Sequence, residues 1–299
     1  MDIKLIEKEF ERYTLEVNKK KPLTAQTYCR NVRDFHTRLE IKTLEELQNI
    51  SRENMKEYIE YQTKNYAPTT VNNRIATLKV YYKFLIYYGY VKENLIEGKD
   101  KIKVKPAPPQ FLEIDEMLKL LETADNLKKG NDKNSIRNAL VIDLCLNIGL
   151  RIFEVRNLKL SNFNMKNYSV TLIGKNDIER TLFLAERTIK DLKEWLEVRD
   201  KIEIKEGHED YLFISSLGKQ ISKRRLQQIV EDYVKIAGVS KVSSHKLRHT
   251  FATVMVGNKH CSDEELQSML GHKHIRTTMG YRHALKEGLM KSKNMVGFN

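Results

Sequence analysis

The last fifth of the chain gathers side chains that could grip a phosphodiester and attack it. The segment His245-Lys246-Leu247-Arg248-His249 is followed by Leu270-Gly271-His272 and then by Tyr281. An arginine offers a planar fork of donors that matches two phosphate oxygens, a histidine titrates near neutral pH, and a phenol can act as a nucleophile. This combination predicts a site that cleaves a phosphodiester, with Tyr281 as the nucleophile.

The spacing around His245 predicts a helix that presents two of these groups together. Between positions 244 and 256 the apolar residues recur at helical spacing, namely Leu247, Phe251, Val254 and Met255. His245 and Arg248 lie three positions apart, so they share one helix face. That face can offer a proton-transfer group beside a phosphate clamp. The alternative is a solvated basic helix without a chemical role.

A second group of candidate residues lies upstream, around Arg151. Gly149 is expected to end an apolar helix over residues 139–148, and Arg151 then begins the next short helix at the edge of the core. Glu154 follows one turn later. An acid at that spacing can hold an arginine or a histidine in place. The alternative is an ordinary surface ion pair, worth roughly a few tenths of a kcal/mol.

A third candidate is Lys175. Residues 169–184 contain two β-prone runs around a turn that holds Gly174, Asn176 and Asp177. This pattern predicts a β-hairpin with Lys175 at its tip. A lone lysine on a hairpin is usually a solubilising charge, and only the company of the other groups makes Lys175 a candidate general acid.

Taken in order, five dispersed elements resemble the tyrosine recombinases of the phage-integrase and Xer-like family. The elements are G-L-R-I-x-E around Arg151, G-K at Lys175, H-x-L-R-H-T-F-A-T from His245, L-G-H at His272 and T-T-x-x-Y at Tyr281. The resemblance implies catalytic roles for Arg151, Lys175, His245, Arg248, His272 and Tyr281, with Glu154 in support. One departure is Phe153, where relatives often carry a small residue.

The resemblance also implies a fold class and an activity. The fold would be mainly α with a small β-hairpin (α+β): a helical, SAM-like, DNA-clamping domain, which residues 68–90 resemble, followed by the catalytic domain. The activity would be site-specific DNA recombination through a 3′-phosphotyrosyl intermediate in a tetrameric synapse on two sites, without a cofactor. Two alternatives stay open, a type IB topoisomerase that reseals the same strand and a non-catalytic DNA-binding protein on the same scaffold.

Composition agrees with a nucleic-acid partner. Lysine and arginine total 53 against 40 aspartates and glutamates, a net charge of +13, which favours a polyanion and a salt-dependent affinity. No segment approaches the roughly 20 apolar residues of a membrane span, and the charged start lacks a signal-peptide core. We therefore expect a cytoplasmic, nucleoid-associated protein. The odd, scattered cysteines Cys29, Cys145 and Cys261 argue against a disulfide framework and fit a reducing compartment.

The histidine-rich end of the chain also has to be considered as a metal site. His245 and His249 lie four positions apart, and further histidines and Cys261 are near them in sequence. No CxxC or HExxH pattern accompanies them, and the family resemblance assigns two of the histidines to phosphate chemistry. We therefore expect no metal site.

The order of elements predicts two domains. Helices are expected near 2–18, 24–40, 51–65 and 68–88, so residues 1–98 form the helical core-binding domain. Residues 99–111 are basic and proline-rich, which predicts an extended linker. Residues 112–285 form the catalytic domain, including a short strand at 211–214. Residues 286–299 form a tail that docks on a neighbouring protomer.

The expected partner is double-stranded DNA with an inverted-repeat core site. A homo-oligomer is expected on it, a dimer on one site and a tetramer in the synapse, and a second recombinase or an accessory protein is a further candidate partner. The candidate DNA contacts are Arg30, Arg33, Arg74 and Lys79 in the first domain and Lys223, Arg224 and Arg225 in the second. The tyrosines Tyr81, Tyr82, Tyr87 and Tyr88 are expected in packing and not in base stacking.

Overall fold

The computed structural model describes residues 1–104, 111–130, 132–173, 179–240, 242–257 and 261–271. The chain divides into two compact units, Met1–Pro106 and Ala107–Asn299. Each unit has its own apolar core, so each is described by itself.

The first unit consists of helices in its described part. They are α1 (Ile3–Arg12), α2 (Pro22–Arg38), α3 (Leu44–Gln48), α4 (Arg52–Asn65) and α5 (Pro68–Tyr87), with a π-helical turn at Tyr13–Val17 after α1. Proline begins α2 and α5, where its missing N–H has no helical partner to lose. Ser51 begins α4 through a hydroxyl that accepts from the backbone N–H of Asn54 at 3.2 Å.

The four helices expected from the sequence are confirmed, and one further helix was missed. That helix, α3, has five residues, too few to produce a periodic apolar pattern. The start of α3 is nevertheless determined by neighbouring residues, because Thr43 and Glu46 form a reciprocal capping box. The first expected helix, 2–18, corresponds to α1 together with the π-helical turn that follows it.

The tyrosines of α5 divide between core and surface. Tyr81 and Tyr82 are buried, and Tyr81 packs edge-on against Phe10 of α1 with ring centroids 5.0 Å apart. Tyr87 and Tyr88, one turn further, are exposed. The first pair therefore packs in the core, while Tyr88 packs at the surface against Phe84, with ring centroids 5.1 Å apart.

The first unit extends beyond residue 98, the boundary expected from the sequence. The guanidinium of Arg52 in α4 pairs with the carboxylate of Asp100. The side chain of Asn72 exchanges two hydrogen bonds with the backbone of Ile102, both 2.9 Å long. These contacts fix residues up to Ile102 on the helical unit. Residues 105–110 of the expected linker lie outside the described residues.

The second unit is also mainly helical. Its helices are α6 (Ile114–Lys128), α7 (Lys133–Asn147), α8 (Ile152–Asn157), α9 (Glu186–Arg199), α10 (Lys223–Ala237), α11 (Ser244–Gly257) and α12 (Asp263–Leu270). Every residue of α7 from Arg137 to Leu146 is buried, so this helix forms the centre of the core. No helix in the described ranges combines the length and the apolar character needed to cross a bilayer.

One small antiparallel sheet completes the second unit. Its strands, in spatial order, are β1 (Phe163–Asn164), β2 (Ser169–Ile173) and β3 (Glu179–Phe183). The expected hairpin is confirmed as β2 and β3. The strand expected at 211–214 is wrong: Tyr211 and Ile214 form isolated bridges to Lys159 and Gln220. A continuous apolar run is common to strands and to buried irregular chain, so periodicity could not separate them.

The first candidate segment, which contains His245 and Arg248, lies on helix α11, and this helix packs against the core. Leu247 is fully buried in the main core of the unit, while Phe251 and Ala252 pack with Leu266 and Leu270 of α12 in a smaller cluster. Removing a buried leucine side chain such as that of Leu247 would cost about 2–5 kcal/mol. The apolar face of α11 therefore fixes the direction of its polar residues.

Candidate active site

The turn between α7 and α8 lies against α11. Gly149 in this turn has φ of +69°, and a Cβ there would lie 2.3 Å from Cδ1 of Phe251. Only glycine allows this approach without strain. Arg248 Nη1 then donates to the carbonyl of Gly149 at 2.7 Å. Phe153 of α8 is 61% exposed, so the departure at this position does not crowd the core.

Glu154 of α8 is the carboxylate around which the arginines gather. It accepts from the backbone N–H of Arg151 at 2.8 Å and from the Arg151 guanidinium at 3.0 Å. Arg180 Nη2 lies 2.9 Å from its Oε2, and Arg248 Nη1 lies 3.6 Å from the same atom. We call Glu154, Arg151, Arg180 and Arg248 the Glu154 cluster.

The carboxyl end of α12 holds the same three guanidiniums. The carbonyl of Leu270 accepts from Arg248 and, at 3.4 Å, from Arg151. The carbonyl of Met269 accepts from Arg180 Nε at 3.0 Å. The last carbonyls of a helix have no partner inside the helix and carry its negative dipole end, so cations stabilise them. The chain then turns through Gly271 toward His272.

The Glu154 cluster has an excess of positive charge. Three guanidiniums and one carboxylate give these four side chains a net charge of +2. Burial alone would raise the pKa of Glu154, but Arg180, the Arg151 backbone N–H, Arg248 and the Arg151 guanidinium hold it below its usual value. Glu154 therefore stays ionised among the three guanidiniums. Arg151 is the most open of the three, with its side chain 38% exposed.

The two histidines of α11 are neutral near pH 7. Burial, followed by the charges of Arg248 and Arg151, lowers the pKa of His245. Burial, His245 and Arg248 lower the pKa of His249 to about 4. Their rings lie 4.5 Å apart, edge to face. A neutral imidazole can accept a proton, which is the state that a general base needs.

The structure brings four of the candidate catalytic and supporting residues into one region. Arg151, Glu154 and Arg248 meet directly, and His245 lies one turn before Arg248 on α11. Lys175, His272 and Tyr281 lie outside the described residues. Over the part of the chain that the structure describes, no group of three or more His, Cys, Asp or Glu could hold a metal ion.

Arg180 is the member of the cluster that sequence reasoning missed. It lies on β3, opposite Leu172 of β2, and its neighbour on the same face, Leu182, lies opposite Val170. All four side chains are buried. A charged residue on the apolar face of a predicted strand was the signal available, because side chains of a strand alternate between faces.

The candidate DNA contacts of the first unit differ in exposure. Arg30 is exposed, Lys79 is half-buried, and Arg33 pairs with Glu7 while remaining 58% exposed. The Arg74 side chain is 15% exposed and donates to Asp34 at 2.9 Å. The Nη1 group of Arg74 is therefore paired with a carboxylate of its own unit.

The candidate DNA contacts of the second unit begin α10. Ser222 ends the preceding loop and accepts from the backbone N–H of Arg225 at 3.1 Å, so it caps the start of the helix. Lys223, Arg224 and Arg225 are all exposed in this first turn. The row of basic side chains faces solvent.

Comparison with known proteins identifies the class. Residues 110–287 match the Phage integrase family, and residues 8–89 match the phage integrase N-terminal SAM-like domain. Tyrosine recombinase XerC of Thermodesulfovibrio yellowstonii is 32% identical over 225 residues, which cover 74% of this chain and 73% of the relative. XerC of Staphylococcus epidermidis is 29% identical over 292 residues, or 96% of this chain and 91% of the relative.

A solved structure agrees with this assignment along almost the whole chain. The XerH site-specific recombinase, bound to a palindromic difH substrate in a post-cleavage complex, has a TM-score of 0.77 and 25% identity, covering 96% of this chain and 84% of that chain. The chain therefore belongs to the phage integrase family and is a site-specific tyrosine recombinase, an enzyme that cleaves and rejoins DNA strands. The family, fold class and enzyme class expected from the sequence are confirmed.

Proposed function

We propose that the enzyme forms a 3′-phosphotyrosyl bond to DNA through Tyr281 and passes the cleaved strand to a second site. One observation carries the proposal: Arg151 and Arg248 converge on Glu154 and on the carbonyl of Leu270, two residues before His272. Groups that come from three separate segments are thus held beside one another with an excess of positive charge.

The bonds and protons of the proposed step balance without another reactant. The phenol oxygen of Tyr281 bonds to the scissile phosphorus while the bond to the 5′ oxygen breaks. His245 takes the phenol proton, and Lys175 gives a proton to the departing 5′ oxygen. The phosphate ester energy is kept in the phosphotyrosine, so a 5′ hydroxyl from a second duplex can reverse the attack.

Arg151, Arg248 and His272 stabilise the charge that builds up on the phosphorane oxygens. Donors of this kind act in a preorganised site, where losing one typically costs about 2.7–4 kcal/mol of transition-state stabilisation. The +2 charge of the Glu154 cluster supports this role for its two motif arginines. The lowered pKa of His245 supports its role as the proton acceptor.

Replacing Tyr281 by Phe tests the proposed chemistry. The substitution removes only the hydroxyl, so we expect DNA binding within about twofold of wild type and no covalent complex. The assay is a denaturing gel on a suicide substrate that carries a nick beside the scissile bond.

Two results, one from that assay and one from a relaxation assay on plasmid DNA, would contradict the proposal. A covalent complex formed by the Tyr281→Phe variant would remove Tyr281 as the nucleophile. Relaxation of supercoiled DNA without sequence dependence, by the wild-type enzyme, would favour a topoisomerase instead.

We extend the proposal to the substrate and the assembly. The XerH neighbour is bound to a palindromic substrate, and we infer that this enzyme binds an inverted-repeat core site as a dimer and joins two sites as a tetramer. The proposed phosphate contacts are the half-buried Lys79 and the exposed residues Arg30, Arg33, Lys223, Arg224 and Arg225. Residues 286–299 would dock on the neighbouring protomer.

Deleting residues 287–299 tests the assembly. The apolar residues after Leu285 are too few to form a core of their own, so we expect them to bind another protomer. Single-protomer binding to a half site should stay near normal, while cooperative pairing and strand exchange weaken. Band-shift titrations on half and full sites measure both, and undiminished recombination by the truncated enzyme at limiting concentration would contradict the docking role.

A further inference from the structure

Arg180 is a buried charge outside the five motif elements named above. Its side chain is 6% exposed and lies on the core-facing side of β3, between the apolar residues Leu172 and Leu182. Removing a guanidinium from water costs several kcal/mol unless its partners are well placed. A leucine or methionine would fit the apolar side of this strand at less cost, so the contacts of the head group need an explanation.

The head group of Arg180 makes contacts with two parts of the candidate site. Its Nη2 lies 2.9 Å from Oε2 of Glu154, and its Nε donates to the Met269 carbonyl at 3.0 Å. Gly271 has φ of +59°, and a Cβ on it would lie 3.1 Å from Arg180 Nη1. The guanidinium thus lies against the last turn of α12 as the chain turns toward His272.

Arg180 and Arg248 compete for the same oxygen of Glu154. Arg180 lies 2.9 Å from Oε2, whereas Arg248 Nη1 lies 3.6 Å from it and donates at 2.7 Å to the Gly149 carbonyl. An opposite charge at the shorter distance has the stronger hold on the carboxylate. Arg180, as an ion pair, and the backbone N–H of Arg151, which donates at 2.8 Å, are therefore nearer partners of this oxygen than Arg248 is.

We propose that Arg180 is a positioning residue for strand cleavage, which acts by holding Glu154 away from full pairing with Arg248. The inference rests on the proposed function, because it assigns Arg180 to the same phosphate site. Without Arg180, Oε2 of Glu154 moves onto the Arg248 guanidinium and neutralises part of the charge that the phosphorane needs. The net charge of the cluster falls from +2 to +1 in the same change.

Single-turnover cleavage of the suicide substrate by the Arg180→Met variant tests the role. Outer partners of catalytic groups typically contribute about 10- to 100-fold to activity. We expect the cleavage rate constant to fall by about that factor, while the fraction of enzyme that finally forms the covalent complex and the affinity for DNA stay near wild type. A merely structural residue would lower that active fraction and leave the rate constant of the folded molecules unchanged.

Arg199→Met is the matched control. Arg199 is also a buried arginine of the second unit, 4% exposed, and donates to the backbone carbonyl of Tyr211 at 2.9 Å. Both substitutions remove a buried guanidinium, but only Arg180 contacts Glu154. We expect Arg199→Met to lower the thermal midpoint and to retain the wild-type cleavage rate constant.

A double-substitution cycle with Glu154→Gln tests whether Arg180 acts through the carboxylate. The amide keeps the shape of Glu154 without its charge, so Arg180→Met should then change the rate constant by about twofold or less in that background. Arg180→Lys, which keeps the charge, should recover part of the loss and carries the test if the methionine variant does not fold.

The outcomes separate this inference from the function on which it rests. If wild-type enzyme forms no covalent complex, the proposed chemistry fails, and Arg180 loses its role with it. If wild type cleaves and Arg180→Met cleaves with the same rate constant, only the positioning role is overturned. An equal loss from Arg180→Met in the wild-type and Glu154→Gln backgrounds overturns the route through Glu154.

Discussion

Each unit of the protein contains a cluster in which arginine meets a carboxylate, and the two clusters differ in charge. In the first unit, Asp34 accepts from Arg74 at 2.9 Å and from Tyr58 and Gln62 at 3.3 Å each. The Arg74 guanidinium also lies 4.0 Å above the ring of Tyr66. We call these residues the Asp34 cluster, whose one carboxylate and one guanidinium cancel.

The Glu154 cluster places three guanidiniums around its one carboxylate. The contrast teaches that an arginine with a buried partner is not thereby a ligand-binding arginine. Where the charges cancel, the group stabilises the fold by tying helices together. Where an excess remains on the four side chains, we propose that the site is prepared to receive an anion.

The largest expected effect is on the rate of DNA cleavage, in which substitutions in the two clusters should differ. Arg248→Gln should lower the single-turnover cleavage rate by about 10²–10³-fold, because one donor to the phosphorane is lost. The comparison variant is Arg74→Gln, which removes a guanidinium from the balanced cluster and should leave the cleavage rate of the folded enzyme unchanged; the Arg74 side chain is 15% exposed, against 1% for Arg248. Equal losses in cleavage rate from both variants would abolish the distinction between the two clusters.

The next effect concerns stability. Arg74→Gln breaks the ion pair to Asp34, a carboxylate whose side chain is 37% exposed and can be rehydrated. We therefore expect a loss of about 1–2 kcal/mol, less than the roughly 3–5 kcal/mol of a fully buried pair. Urea unfolding followed by circular dichroism measures it. A variant as stable as wild type that binds DNA less tightly would restore Arg74 as the phosphate contact expected from the sequence.

Positive charge beside an imidazole disfavours its protonation, so the stability of the fold should depend on pH. Burial, His245 and Arg248 lower the pKa of His249 from 6.5 to about 4, so the unfolded chain binds the proton more readily than the folded one. Stability should therefore fall as pH drops from 6.5 toward 4. His249→Gln should reduce this fall by on the order of 2 kcal/mol, and identical pH profiles for wild type and variant would contradict the prediction.

The smallest expected effect concerns the exposed basic residues that begin α10. Each phosphate contact contributes about 0.9 to the slope of log affinity against log salt concentration. Lys223→Gln and Arg224→Gln should each lower the slope by about that amount and weaken binding only a few-fold, whereas Arg74→Gln should not change the slope. Fluorescence anisotropy over a salt series provides the measurement. A reduced slope for Arg74→Gln would contradict the balanced role of the Asp34 cluster.

Much of the fold could be predicted because its signals are local. Pro22, Pro68, Ser51 and Ser222 mark helix starts by chemistry within one turn, and each begins or precedes a helix in the structure. The two β-prone runs on either side of Gly174, Asn176 and Asp177 predicted the hairpin strands. The prediction failed at 211–214, where tertiary contacts hold the chain in isolated bridges, and at α3, which is too short to show a periodic apolar pattern.

By itself the sequence determined which residues can do chemistry, because arginine, histidine and tyrosine at helical and motif spacings narrow the chemistry to phosphate. It placed Arg248 and His245 on one helix face, since the period of a helix is fixed. Only the tertiary structure decided which charges meet. Arg151 reaches the Leu270 carbonyl 119 residues away, Arg180 joins the same cluster from β3, and Arg74 is paired with Asp34. The reason is physical: periodicity gives a side chain its direction, whereas the packing of separate elements determines its partner and the charge that remains.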